Sequence, residues 1–434
     1  MNKSLSDSKQ VVTKPYLIPF VLVGLLFPLW GFANDITNPM VAAFKNILLV
    51  SNFESALVQC AFYGGYCFMA IPAAIFIWRF NYKQAILMGL ALYSIGCLMF
   101  IPSGKMMVFE AFLFSYFVMT CGLSFLETSA NPYILSMGNE ATATQRLNLA
   151  QAFNPLGSLM GMFIAKEFIL ARLNSTSEAG RWELAQNDPG LFTQIQQSDL
   201  NVIIGPYLML GIVVAFVFVI FAITKLPGSR NENVDKLNLR PTLKRLFSNR
   251  LYLEGVVAQA FYVGAQIMCW TFIIHYGVNE LGMTKAEAQS YNMIAMVIFV
   301  SSRFICTYLL KYINPGQLLM GLALGGGVFT LGTIFISGMM GLYSLVAVSA
   351  CMSLMFPTIY GIALKGLGED AKIGSAGLIL AGCVAGARCY YGYVILFHGG
   401  INVVQYPGQL LFTCYLFSSY RIFRLEYGQE TTVN

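Results

Sequence analysis

The sequence predicts an all-α membrane protein of twelve transmembrane helices in two pseudo-symmetric six-helix bundles, and three observations carry that expectation. Apolar residues make up 57% of the chain and charged residues only 11%, against about a quarter charged in soluble domains; the mean hydropathy is +0.65. Apolar runs long enough to cross the ~30 Å hydrocarbon layer fall into six before residue 225 and six after residue 250. The hexamer LMGLAL opens the third run of each half, at 87–92 and at 319–324, each time after a basic turn.

Bounded by Pro, Gly, Asn or charge, the first six spans are expected at 16–44, 53–78, 83–102, 106–137, 145–171 and 201–224. The second six are expected at 251–278, 286–310, 316–338, 341–365, 373–397 and 403–420. Residues 225–250 are polar, rich in Lys, Arg and Asn, and contain Pro227 and Pro241, so they cross no bilayer. The chain therefore divides into a bundle at 1–224, a cytoplasmic linker at 225–250 and a bundle at 251–434. Two parallel six-helix repeats are the layout of a carrier that rocks one half against the other around a mid-membrane site.

Basic residues bias a loop toward the cytoplasm. With the N-terminus inside, 18 of the 26 fall on cytoplasmic loops or tails, six fall outside, and Arg303 and Arg388 sit within spans. Both termini are thus expected in the cytoplasm, with no cleaved leader. The segment 172–199 reads as a solvated external loop. The net charge of +6 follows from segment ends and forms no patch for nucleic acid. The cysteines lie mostly inside apolar runs without paired spacing, and His275 and His398 lack ligand-spaced partners. No disulfide framework or metal centre is expected. Phosphate-loop and hydrolase motifs are absent from the sequence, which argues against an enzyme or an ATP-driven pump.

What remains is a set of polar residues inside apolar spans. Glu127 stands in CGLSFLETSANPYILSM, about two thirds along the fourth span. A charged side chain at mid-membrane costs roughly 2.5–3.5 kcal/mol on insertion scales and normally faces a bundle interior or a watery cavity. It is either a proton carrier or a carboxyl buried for packing. Asn131-Pro132 follows one turn later, where Pro frees a backbone carbonyl and permits a kink. The first span carries Trp30, Asn34, Asp35, Asn38 and Pro39. Asn34 and Asn38 share a helix face and could bind hydroxyls; the stretch could equally be the wet outer end of the helix, a reading that weighs most for Asp35.

The fifth span brings Asn148, Gln151 and Asn154, with Gln151 and Asn154 on one face, and the seventh lines up Gln259, Gln266 and Trp270. Such amides can glue helices together at about 0.6 kcal/mol each, or they can bind a solute with ring hydroxyls whose apolar side stacks on Trp270 or Trp30. Few buried carboxylates and no cage of oxygen ligands favour a proton over a hard metal cation as the coupling ion. The energy source is then the proton gradient, with no cofactor. The expected partners are a polar solute with ring hydroxyls, a proton and the lipid bilayer, and the expected state is a monomer. A membrane sensor that binds such a solute without moving it is the reading from another class.

The segments LWGFANDITNPM, FYGGY, CGLSFLETSANPYILSMG, RLNLAQAFNPLGS, FYVGAQIMCWTFIIHY and FPTIYGIALKGLG resemble the fucose:proton symporter branch of the major facilitator superfamily over residues 16–381. The resemblance implies alternating access and proton symport of L-fucose or a related hexose such as glucose or galactose across a bacterial inner membrane. It makes Glu127 the fourth-helix carboxylate that takes up and releases the proton, and Gln151 and Asn154 the amides near the sugar. Where the well-known symporter of this branch carries a second carboxylate, this sequence has Asn38. Either Asp35 takes over or Glu127 couples alone.

From about Gly382 the chain departs from that pattern: GCVAGARCYYGYVILFHGG places Arg388 in mid-span and lacks the family's Pro, and family-like sequence returns at Ser419. We read 382–418 as partly out of frame. Sequencing the coding DNA is expected to reveal compensating insertions or deletions, and finding this frame intact would overturn the reading.

Overall fold

The computed structural model describes residues 11–37, 39–227 and 239–398. Asn38, the expected twelfth span and the side chain of Arg388 lie outside the described residues. The elements are helices, and nine of them among the described residues are long and apolar enough to cross a membrane. The fifth expected span is split into Ala143–Gln151 and Asn154–Ile164, and the eleventh is the helix Ala371–His398. The sixth shows why a bilayer is required: Met209, Ile212, Phe216, Val219 and Ile223 are each more than half exposed. That helical stripe would aggregate in water and suits lipid.

The two halves start corresponding helices in the same way. The second span opens on a capping box, in which Glu54 N–H donates to Ser51 Oγ (3.1 Å) and Ser51 N–H to Glu54 Oε2 (2.7 Å). Its counterpart, the eighth, repeats the device with Thr284 and Glu287 at 3.2 and 2.8 Å. Asn81 caps the third span and Asn314 the ninth. Each cap satisfies amide donors that the first helical turn leaves without partners.

Contact density divides the described chain into two compact units. One takes residues 22–37, 39–130 and 156–227, the other 11–21, 131–155 and 239–398. The first unit packs through small residues. Gly157 lies against the Pro28 carbonyl and Gly96 against the Met119 backbone, so closely that a Cβ at either place would collide with main chain. Where no hydrophobic effect drives helices together, such close approach supplies the dispersion energy. An aromatic cluster fills the space beyond: Phe100 stacks on Tyr207 at 4.1 Å between centroids, and Tyr207 shares a 2.8 Å hydrogen bond with Tyr116.

The segment expected to be a solvated loop is folded in this unit. Helix Glu178–Asn187 turns Arg181 inward, where it pairs with the buried Asp199 and donates to the Asn174 and Thr176 carbonyls. Lys45 binds Glu178 at 2.9 Å and Gln196 Nε2 donates to the Ile47 carbonyl at 3.0 Å. The segment is thereby tied to the helix Met40–Leu48 at the end of the first span. Arg181 and Asp199 stand on two different helices, Glu178–Asn187 and Pro189–Ile223, so no spacing within one helix pairs them and composition alone reads the stretch as solvated.

In the second unit Arg146 is a fully buried hub. Its guanidinium donates to the carbonyls of Ile134 (2.8 Å), Leu135 (2.7 Å) and Val11 (3.0 Å). Two of these belong to the end of the fourth span, where helical carbonyls lack partners and a cation is favoured. The helix Leu239–Ser248 docks through Arg245, whose Nε and Nη2 each reach an Asp370 oxygen at 2.7 Å. Those hydrogen bonds hold the Asp370 carboxyl below the usual carboxylate range. A depressed carboxylate contributes stability that is present above its unfolded pKa, about 3.9, and is lost as pH falls through its folded value. The native protein should therefore melt slightly above Asp370→Asn at neutral pH, by less than about 1 kcal/mol for so solvated a pair. The gap should close below about pH 4, as thermal melting in detergent at a series of pH values would measure.

Candidate functional site

The fourth span runs as one helix, Phe109–Ser136, and residues 119–134 are buried on every face. A helix buried all round belongs to a bundle interior. Here the interior-facing positions include Thr120, Ser124, Glu127, Thr128, Ser129 and Asn131. Glu127 is 5% exposed, and among the described residues no salt bridge reaches it. Asn131 stands one turn later on the same helix.

Within the unit that holds 131–155 and 239–398, four predicted or noted residues join in one run of contacts. Gln151 Nε2 donates to Asn131 Oδ1 at 2.9 Å. The Gln151 carbonyl accepts from Arg303 Nη1 at 3.0 Å. Arg303 is 4% exposed and lies 4.6 Å above the ring of Phe299, and Phe299 meets Trp270 edge-on at 5.3 Å. Asn131 and Gln151, from the fourth and fifth spans, are thus linked to Trp270 of the seventh through two residues of the eighth. Among the described residues the Asn131 amide finds no partner for its Nδ2, nor does the Trp270 indole for its Nε1. Both are donors that a hydroxyl oxygen could accept from.

The other predicted residues take separate places. Gln266 is half-buried on the helix Arg250–Asn279, and Asn154 is half-buried at the start of the helix that follows Gln151. In the other unit Trp30 stacks on Tyr66 at 6.5 Å and 25°, Asn34 is half-buried and Asp35 is buried. Asn38 lies outside the described residues.

Sequence reasoning missed the part played by Arg303, though its signal was present. In a helix the amide of residue i bonds the carbonyl of i−4, and proline has no amide hydrogen to give. Pro155 therefore leaves the Gln151 carbonyl free, and Pro357 leaves that of Ser353 free. Arg303 takes both, the second through Nε. The carbonyls just before that break are satisfied in the same manner, Ala350 by Ser302 Oγ at 2.8 Å and Met352 by Tyr262 OH at 3.1 Å. Asn148 Nδ2 donates to Thr358 Oγ1 at 3.1 Å and Gln145 Nε2 to the Thr307 carbonyl at 3.3 Å, so these amides join helices. Gln259, fully buried, has neither amide atom bonded among the described residues.

The model of the Major Facilitator Superfamily matches residues 23–389. The chain belongs to the major facilitator superfamily. This carrier is 52% identical over 374 residues to the L-fucose-proton symporter of Haemophilus influenzae, covering 86% of this chain and 87% of that one. It is 34% identical over 372 residues to the L-fucose-proton symporter of Escherichia coli K12, covering 85% and 84%. A crystal structure of the E. coli fucose:proton symporter superposes with a TM-score of 0.84 at 32% identity, over 94% of this chain and 99% of that one. The twelve-helix facilitator fold read from the sequence follows, and the protein is a transporter and not an enzyme. The family match stops close to the place where the sequence departs from its pattern.

The Asn131–Gln151 pair has a testable energetic consequence. Gln151→Leu removes the donor to the buried Asn131 Oδ1, which costs about 1–3 kcal/mol. Adding Asn131→Leu should recover part of that loss, since replacing both partners by apolar groups can be nearly neutral. Thermal melting of the three variants in detergent measures it, and an unchanged single variant would refute the pairing.

Proposed function

We propose that this protein is a proton-coupled symporter that imports L-fucose by alternating access. The single observation that carries the reading is 52% identity across most of both chains to an L-fucose-proton symporter, in a protein whose fourth span keeps a buried carboxyl in an otherwise neutral helix interior. Glu127 is the proton site. A carboxyl costs little to bury when protonated and much when ionised, so loading and unloading the proton changes which side of the cycle the helix favours. Asp35 is the second acidic residue of the route.

Asn131, Gln151, Asn154 and Gln266 offer amides to the sugar hydroxyls, joined by Asn34 and Asn38 from the first span. Trp30 and Trp270 give flat faces to its apolar side. The two bundles, 1–224 and 251–434, exchange access to this site across the linker 225–250. The protein works as a monomer in the inner membrane with both termini in the cytoplasm, and it needs no cofactor beyond the proton gradient.

In Glu127→Gln the neutral amide stands for the protonated acid. The expected outcome in vesicles is sugar exchange without accumulation, and accumulation of labelled fucose against its gradient would refute the proton role. Competition by glucose and galactose in the same uptake assay separates a fucose carrier from a general hexose carrier.

A further inference from the structure

Arg303 is a charged residue in a membrane span whose bonded partners are backbone carbonyls. Those carbonyls share an origin, since each lies four residues before a proline, Gln151 before Pro155 and Ser353 before Pro357. The helices break there: Ala143–Gln151 gives way to Asn154–Ile164, and Met339–Met352 to Met355–Leu364. Both carbonyls are therefore the acceptor end of a helix segment, where the peptide dipoles leave partial negative charge. A planar guanidinium presents donors in a fixed fork, and Phe299 beneath it holds the plane in place. A lysine ammonium, a single point of charge on a flexible stem, cannot hold two diverging carbonyls in the same way.

We propose that Arg303 is a positioning residue for sugar binding: by fastening the two proline-freed carbonyls together it fixes the Gln151 amide against Asn131 and latches the fifth span to the tenth. It touches the sugar through Gln151 alone. Movement of either span away from the eighth breaks one or both bonds, so the latch opens once per cycle. The inference rests on the sugar-symport reading for its kinetic test and on geometry alone for its chemical one.

The deciding variant is Arg303→Lys, which keeps the charge and the packing stem. Its half-saturation for fucose exchange should rise about tenfold, the loss expected when one hydrogen bond to a charged group is given up, while exchange at saturating sugar falls by less than about threefold. In a Gln151→Ala background the same substitution should change half-saturation by less than about twofold, because residues acting through one another are not additive. Pro155→Ala restores an amide that competes for the Gln151 carbonyl, and it should reproduce the rise in half-saturation.

The chemical arm needs no sugar. Cys306, one turn along from Arg303, is buried against Leu310 and Leu354, the latter next to Ser353. Release of the Ser353 carbonyl should speed maleimide labelling of Cys306 in detergent by about fivefold or more, a local opening read on its own peptide by mass spectrometry. Arg303→Lys with native half-saturation, or an equal rise in the Gln151→Ala background, overturns the positioning role. Unchanged Cys306 labelling overturns the latch. If the native protein moves no fucose or hexose, the symport reading fails, and the labelling result still decides the latch.

Discussion

A backbone carbonyl inside a bilayer has to find its donor within the protein, because no water is there to supply one. A helix meets this by its own ladder. Internal prolines remove a rung of that ladder in several spans, Pro72, Pro132 and Pro206 among them. In the fifth and tenth spans Pro155 and Pro357 stand beside a break in the helix, and one arginine from the eighth span takes the carbonyl that each of them frees. The breaks are thus neither strained nor idle. Each is a place where the chain can bend at the cost of a few side-chain hydrogen bonds, and the amides that could meet a sugar hang on either side of one of them.

The same constraint explains why Glu127 sits where it does. Residues 119–134 of the fourth span touch protein on every side, so polar groups there face other helices and not lipid. Ser129 and Thr120 turn back to carbonyls of their own helix, at 2.6 and 3.0 Å, which keeps their hydroxyls satisfied without outside help. Glu127 is buried among them, and among the described residues no salt bridge reaches it.

Much of this was legible in the sequence, for definite reasons. Span positions follow from apolar runs because the hydrocarbon layer sets a minimum length. Glu127, Asn131 and Gln151 announce themselves as polar residues where polarity is expensive. What sequence could not give was pairing across distance. Arg303 and Gln151 are 152 residues apart, and Arg181 and Asp199, 18 apart, stand on two different helices, so no spacing within one element pairs either couple. Arg303 looked like a lone charge because its partners are carbonyls, which every residue has and no side-chain pattern reveals. The one clue was the placement of two prolines, which speaks only once the ladder is counted backward by four.

Three buried arginines in the described chain divide by the partner they take, and the division fits their places in a moving protein. Arg181 is paired with the carboxylate of Asp199. Breaking such a pair by removing one partner costs about 3–5 kcal/mol, so the segment it folds is held closed. Arg146 and Arg303 take neutral carbonyls, whose bonds to a charged donor are worth about 1.5–3 kcal/mol. Arg146 gathers two carbonyls at the end of the fourth span and that of Val11, enough to keep that helix end and the chain at Val11 together. Arg303 has two, divided between different spans, so relative motion of those spans loses one bond at a time. A carrier that must change shape in every cycle needs its permanent joints ionic and its working joints weaker, and a guanidinium on proline-freed carbonyls meets the second requirement without a counter-charge that would itself have to be desolvated.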